Sequence, residues 1–240
     1  MNDLYHASDY RGAARRALAG AWGLAVGVTL VAALLGGLLG GGVGFQFSLT
    51  YSMDFDSVQE LYDRILRADP RLIRPLGVFA SISGMLGSIQ FIVGGTIAVG
   101  YARFCLHLTD GEPARFSDIF SAFDIFGHAF LLQLLTFLKI FAWALLFFVP
   151  GIVAAYRYAM APFILAEQPQ LTAGEAIERS KRMMDGHKAQ LFLLDLSFIG
   201  WALLAALTMN IGTLWLNPYV NVSRAVFYRS VSATPYSRNI

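Results

Sequence analysis

Four long apolar runs, divided by shorter polar stretches, dominate this chain. A helix crossing the hydrocarbon layer of a membrane needs about 20 mostly apolar residues. Residues 18–43, 76–106, 129–149 and 189–209 each meet that length. Between the third and fourth runs, Pro150-Gly151 introduces a further apolar stretch, 152–166. Pro is tolerated in the first turn of a helix, so the pair predicts a tight turn and a returning span. A last segment, 214–231, is about 27 Å long at 1.5 Å per residue. It also holds Asn217, Pro218, Asn221, Arg224 and Arg229. Lipid rejects much of that surface, so the expectation is a sixth span shielded by the other helices. The predicted fold is all-α, a polytopic membrane bundle of six helices in three hairpin-like units, forming one domain over 1–240.

Amphipathic segments precede the outward-going spans. In the first, within 1–17, Tyr10, Ala13, Ala14, Ala17 and Leu18 share one face and Arg11, Arg15 and Arg16 the other, at helical spacing. The second, within 108–128, carries Phe116, Ile119, Phe120, Phe123 and Phe126. The third, within 167–188, opens on the capping box Thr172-Ala-Gly-Glu175. It presents Glu175–Arg179 and Glu178–Arg182 as i,i+4 pairs on its wet side. Such helices lie in the headgroup region, apolar side down. The long loop 44–75 holds its own capping box, Ser57-Val-Gln-Glu60, with Pro70 as a stop.

An internal repeat reinforces the unit structure. Gly127-His128 … Trp143-Ala-Leu-Leu146 recurs as Gly186-His187 … Trp201-Ala-Leu-Leu204. Successive units keep the same orientation. Repeats build both transporters and plain bundles.

Charge sets the expected topology. Twelve Lys and Arg residues fall on one side: Arg11, Arg15, Arg16, Arg103, Arg115, Arg179, Lys181, Arg182, Lys188, Arg224, Arg229 and Arg238. The other side has Arg64, Arg67, Arg71 and Arg74. Basic residues concentrate in the cytoplasm, so both termini are expected there, in a bacterial inner membrane. The first span, which lacks a small-residue cleavage site, reads as a signal anchor.

Composition supports the same solvent. Only 14% of residues are charged and 56% are hydrophobic, whereas an ordinary soluble domain is roughly a quarter charged. A soluble enzyme and a nucleic-acid binder are thereby excluded. A formal net charge of +2 implies no anionic partner, and the single Cys105 precludes an internal disulfide. No P-loop, dinucleotide loop or Ser/His/Asp set is present, so an enzyme is disfavoured and no cofactor is implied.

The second half carries four stretches with a family resemblance. They are Pro150-Gly-Ile-Val-Ala-Ala-Tyr-Arg-Tyr-Ala-Met-Ala-Pro-Phe-Ile-Leu-Ala-Glu167, Ala176-Ile-Glu-Arg-Ser-Lys-Arg-Met-Met-Asp-Gly-His-Lys188, Leu194-Asp-Leu-Ser-Phe-Ile-Gly-Trp201, and Ile211-Gly-Thr-Leu-Trp-Leu-Asn-Pro-Tyr219 with Phe227-Tyr228. Together they resemble a bacterial membrane-protein family catalogued as domain of unknown function 975, over residues 76–231. The resemblance implies a six-helix membrane protein and carries over no catalytic residues.

Charged side chains inside a span cost about 2.5–3.5 kcal/mol on insertion scales and must face protein or water. Lys139, Arg157 and Asp195 are the candidates for an intramembrane polar site, with Lys139 and Asp195 in adjacent units and able to pair. One reading is an ion or proton site; the other is a pair that fixes helix register. Asn210, Asn217 and Asn221 point to a turn near the outer end. His6, His107, His128 and His187 fall at the cytoplasmic boundary without the spacing or carboxylates of a metal site. Gly23, Gly27, Gly36, Gly40 and Gly44 at four-residue spacing form a candidate packing seam, within the bundle or between copies. Membrane lipids are the expected partners, with a homo-oligomer as a further option. The functional expectation is a structural or interaction protein of the membrane, with a transporter or channel for a small solute as the alternative.

Overall fold

The computed structural model describes residues 6–36, 73–208 and 211–233. Every regular element among them is helical. In order they are α1 (Ala7–Leu18), α2 (Trp22–Gly36), α3 (Ile73–Asp110), two 3₁₀ turns (Phe116–Phe120 and Phe123–Ile125), α4 (Phe126–Leu146), α5 (Phe148–Tyr158) and α6 (Ala161–Glu167). Then follow α7 (Ala173–Met183), α8 (Lys188–Leu196), α9 (Ile199–Leu207) and α10 (Thr213–Ser232).

Four helical stretches are long and apolar enough to cross a membrane: Gly87–Asp110, Phe116–Leu146, Val149–Glu167 and Lys188–Leu207. The pair α1 and α2 passes only when taken together, and it is bent by 101°. The elbow is at Gly20, whose φ of 84° is left-handed and favours a residue without Cβ. The first apolar helix therefore starts at Trp22, four residues later than the hydrophobic run suggests. α10 does not reach the hydropathy of a span, so the structure carries four candidate spans, or five with the bent pair.

The chain reverses at Phe147, whose extended backbone (φ −158°, ψ 146°) separates α4 from α5. The turn expected at Pro150-Gly151 is thus three residues earlier, and Pro150 sits inside the first turn of α5. Gly151 serves the closure instead: a Cβ there lies 2.8 Å from Ala144 Cβ. Of the asparagines expected to mark a turn, Asn210 lies outside the described residues, and the helix α9 ends at Leu207 while α10 begins at Thr213. Between them the Gly212 amide donates to Thr208 Oγ1 at 2.9 Å, and Asn217 and Asn221 are within α10.

The core gathers where α3, α6 and α10 end. Residues 221–228 of α10 are all buried, which fits the expected shielding of its polar residues. Tyr10, Ala14 and Leu18 of α1 are buried too. They face α10 rather than lipid: Tyr10 meets Phe227 edge-on at 5.4 Å. The apolar side of α7, Ala176 and Ile177, is likewise buried in the bundle. At the opposite end the surface is apolar and open, with Leu145 76% and Leu207 81% exposed. Apolar patches of this kind mark a surface whose solvent is not water, in keeping with membrane embedding.

Gly23 and Gly27 of the predicted glycine seam meet no other helix of the bundle. Cβ atoms at Gly23 and Gly27 meet nothing within 4 Å, Gly36 ends α2, and Gly40 and Gly44 lie outside the described residues, as does the predicted helix at Ser57–Glu60. The close approaches are made by α3. A Cβ at Gly95 lies 2.5 Å from the Ala129 carbonyl oxygen, and one at Gly100 lies 2.1 Å from that of Ile119. Gly100→Ala is therefore expected to lower stability in detergent by about 1–3 kcal/mol, while Gly27→Ala leaves the unfolding midpoint unchanged; thermal unfolding of the two variants side by side checks the contrast.

Candidate functional site

Asp195 and Arg224 form the polar centre of the bundle. Asp195 is on α8 and Arg224 two-thirds along α10; they are 3% and 5% exposed. Arg224 donates from Nε to Oδ1 at 3.1 Å and from Nη2 to Oδ2 at 2.8 Å. This fork-to-fork geometry satisfies both carboxylate oxygens with the strongest class of hydrogen bond. It also corrects the pairing suggested by the repeat. Asp195 is taken by Arg224, and Lys139 is exposed, its Nζ 5.7 Å from the Tyr158 ring centroid. Arg157 is half-buried near the end of α5, and its Nε has no hydrogen-bond partner among the described residues. The three predicted residues thus do not converge on one site. Arg224, visible in the sequence as a misfit of the last segment, is the member that was missed.

Two breaks in the apolar helices lie close to this centre. The span 149–167 is interrupted between α5 and α6, because Pro162 has no N–H for the Tyr158 carbonyl and its ring crowds that carbonyl. Ser180 of α7 closes the gap. Its Oγ donates to the Arg157 carbonyl at 3.0 Å and accepts from the Met160 amide at 3.2 Å. The span 188–207 is interrupted at Ser197–Phe198, where Ser197 Oγ donates back to the Leu194 carbonyl at 2.6 Å. Such local bonds compete with the helical ladder. Here Arg11 of α1 donates to the Ser197 carbonyl at 3.3 Å, placing a cation at the C-terminal end of α8, where the helix dipole favours one. Arg15 adds a 3.0 Å bond to the Tyr219 hydroxyl.

A separate cavity of about 280 Å³ opens where α6, α7 and α10 finish. Ile164 and Met183 give it apolar walls, and Glu167, Gln168, Arg179 and Tyr228 supply polar groups. The acids beside it are already engaged. Arg229 holds Asp110 through Nε at 2.9 Å and Nη2 at 2.5 Å, and Glu167 through Nη1 at 2.5 Å. The Tyr228 hydroxyl donates to the second oxygen of Glu167. Arg179 gives one N–H to Gln168.

At the polar start of α7, Thr172 and Glu175 form the expected capping box. Hydrogen bonds from the Thr172 amide and hydroxyl hold the Glu175 carboxyl below its usual range, and Lys188 does the same for Asp185. The expected i,i+4 pairs are replaced: Glu178 pairs with Lys181 at 3.2 Å, and Arg179 turns to Gln168. Of the boundary histidines, His107 meets Asp118 at 3.0 Å. Among the described residues no three metal-ligating side chains come together.

Asp195→Asn leaves the buried Arg224 charge unpaired and is expected to cost about 3–5 kcal/mol, read as lost yield of folded protein. Asp195→Leu with Arg224→Met is expected to recover most of that yield. Ser180→Ala frees two buried backbone groups and is expected to cost about 1–3 kcal/mol, with faster amide exchange confined to 157–160.

No curated protein and no solved structure matches the chain. The family resemblance read from the motifs is borne out over the C-terminal part, where all of those motifs lie. Residues 145–235, which hold both the Asp195–Arg224 pair and the cavity, match the family described as protein of unknown function DUF975.

Proposed function

We propose that this is a structural or interaction protein of the bacterial inner membrane, without enzymatic activity, crossing it six times with both ends in the cytoplasm. The observation that carries the reading is the closed Asp195–Arg224 pair. Among the described residues these are the charged side chains in the fully buried set, and they neutralise each other. A proton or cation pathway needs an intramembrane acid that the ion can reach. Lys139 and Arg157 are bases and supply none. The excess of basic residues on one side supports the topology, and α10, too polar for a lone span, is the sixth crossing because the other helices surround it. Lipids are its constant partners, and the open glycine edge of α2 at Gly23 and Gly27 gives a second copy a place to pack.

The two helix breaks favour a second reading, a carrier of a small solute, because transporters build sites from interrupted helices. Here Ser180 and Arg11 occupy the freed backbone groups, which weighs against it. Reconstitution in vesicles tests the choice. The expected result is no proton or solute flux above protein-free vesicles, with reporters at both ends on the cytoplasmic face. Flux that Asp195→Asn abolishes at undiminished folding yield overturns the structural reading.

A further inference from the structure

Three of the motif stretches, the last about 40 residues beyond the first two, meet at one place. Ile164 and Glu167 come from the first, Arg179 and Met183 from the second, and Tyr228 from the last, and all five line the 280 Å³ cavity. A bundle held together only by apolar packing has no need of an open, polar-lined space shared by its most recognisable residues.

The hydrogen-bond inventory says what the space can take. Each Glu167 oxygen already accepts a bond, one from Arg229 and the other from Tyr228. Both Asp110 oxygens likewise accept from Arg229. Arg179 is different. A guanidinium has five N–H donors in a planar fork, and within the described residues only the bond to Gln168 is made. The unspent charge of the cavity lining is therefore the cationic fork of Arg179, and it suits an anion with several acceptor oxygens. Ile164 and Met183 add an apolar flank, so the ligand that fits is amphipathic. The volume lies near the small end of ligand pockets, roughly 300 Å³, which suits a headgroup. The position narrows the source. The cavity lies at the end of the candidate span Val149–Glu167, beside Arg229, which holds Glu167.

We propose that this cavity binds the phosphate of an anionic phospholipid of the cytoplasmic leaflet, with Arg179 as the phosphate-binding residue and Ile164 and Met183 against the first carbons of the lipid. The phosphate chemistry follows from Arg179 alone. The lipid source rests on the inner-membrane reading given above.

Full-length protein in neutral detergent, offered phosphatidylglycerol and phosphatidylcholine in equal amounts and examined by native mass spectrometry, tests it. Wild type is expected to retain phosphatidylglycerol about tenfold over phosphatidylcholine, the scale of one or two charge-assisted hydrogen bonds. Arg179→Gln is expected to abolish the preference and Arg179→Lys to keep part of it. Arg182→Gln removes the same charge from an exposed position one residue outside the cavity lining and is expected to change nothing. Met183→Trp, which fills the space and leaves Arg179 in place, gives an independent loss of preference if Arg179→Gln fails to fold. Equal retention of the two lipids by wild type overturns the proposal. So does a preference that survives both Arg179→Gln and Met183→Trp, or one lost equally in Arg182→Gln. Displacement of the lipid by glycerol phosphate at matched concentration overturns the lipid source in favour of a soluble phosphate. That outcome leaves the inner-membrane reading standing, because reporter topology and flux are measured separately.

Discussion

A backbone break inside an apolar helix is the constraint around which this molecule is organised. Where water is absent, each freed N–H or C=O costs several kcal/mol unless something else bonds to it. Two of the candidate spans are broken, at 159–160 and at 197–198. In both cases the missing partner comes from a polar helix at the end of the bundle, Ser180 of α7 and Arg11 of α1. These segments are therefore not accessories lying on the lipid. Their apolar faces are buried in protein, and their polar residues reach inward to complete the spans.

The same logic explains α10. Its polar second half is unsuited to hydrocarbon, and that half is enclosed. Arg224 is neutralised by Asp195, Tyr219 receives Arg15, and the run 221–228 is enclosed. α10 acts as an internal post on which α1, α2, α3, α8 and α9 are assembled. Specificity in such a bundle comes from polar pairs, because lipid gives apolar surfaces little reason to choose one another. The Asp195–Arg224 fork fixes both the rotation of α8 and the depth of α10. Gly95 and Gly100 then let α3 close against α4 and the first 3₁₀ turn.

The sequence shows the apolar runs plainly, because length and lack of charge are local properties. The Thr172–Glu175 cap and the Tyr10–Ala14–Leu18 face are legible for the same reason, being set within a few residues. The Asp195 partner is not. Arg224 lies 29 residues away across two helix ends and a break at Ser197, and each of these resets the helical phase, so no spacing rule links them. The glycines that pack inside the bundle are hidden in a similar way. Gly23 and Gly27 have the spacing of a close-packing motif, but spacing does not say which face meets a neighbour, and the effective pair, Gly95 and Gly100, is five apart. The break before α6 had a signal in Pro162, outweighed by the continuous apolar run around it. The cavity at the end of the bundle was invisible because its walls come from three separated stretches.

The mating of α1 with α10 bears on biosynthesis. Tyr10 rests on Phe227, Ser230 reaches the Tyr10 hydroxyl at 3.4 Å, and Arg15 bonds Tyr219. The earliest described helix to leave the ribosome thus has its seat on the latest. Until α10 is translated, α1 must wait with Tyr10 and Arg15 lacking their seats. Assembly of this bundle cannot finish span by span as the polypeptide emerges; it closes as a ring once α10 is in place.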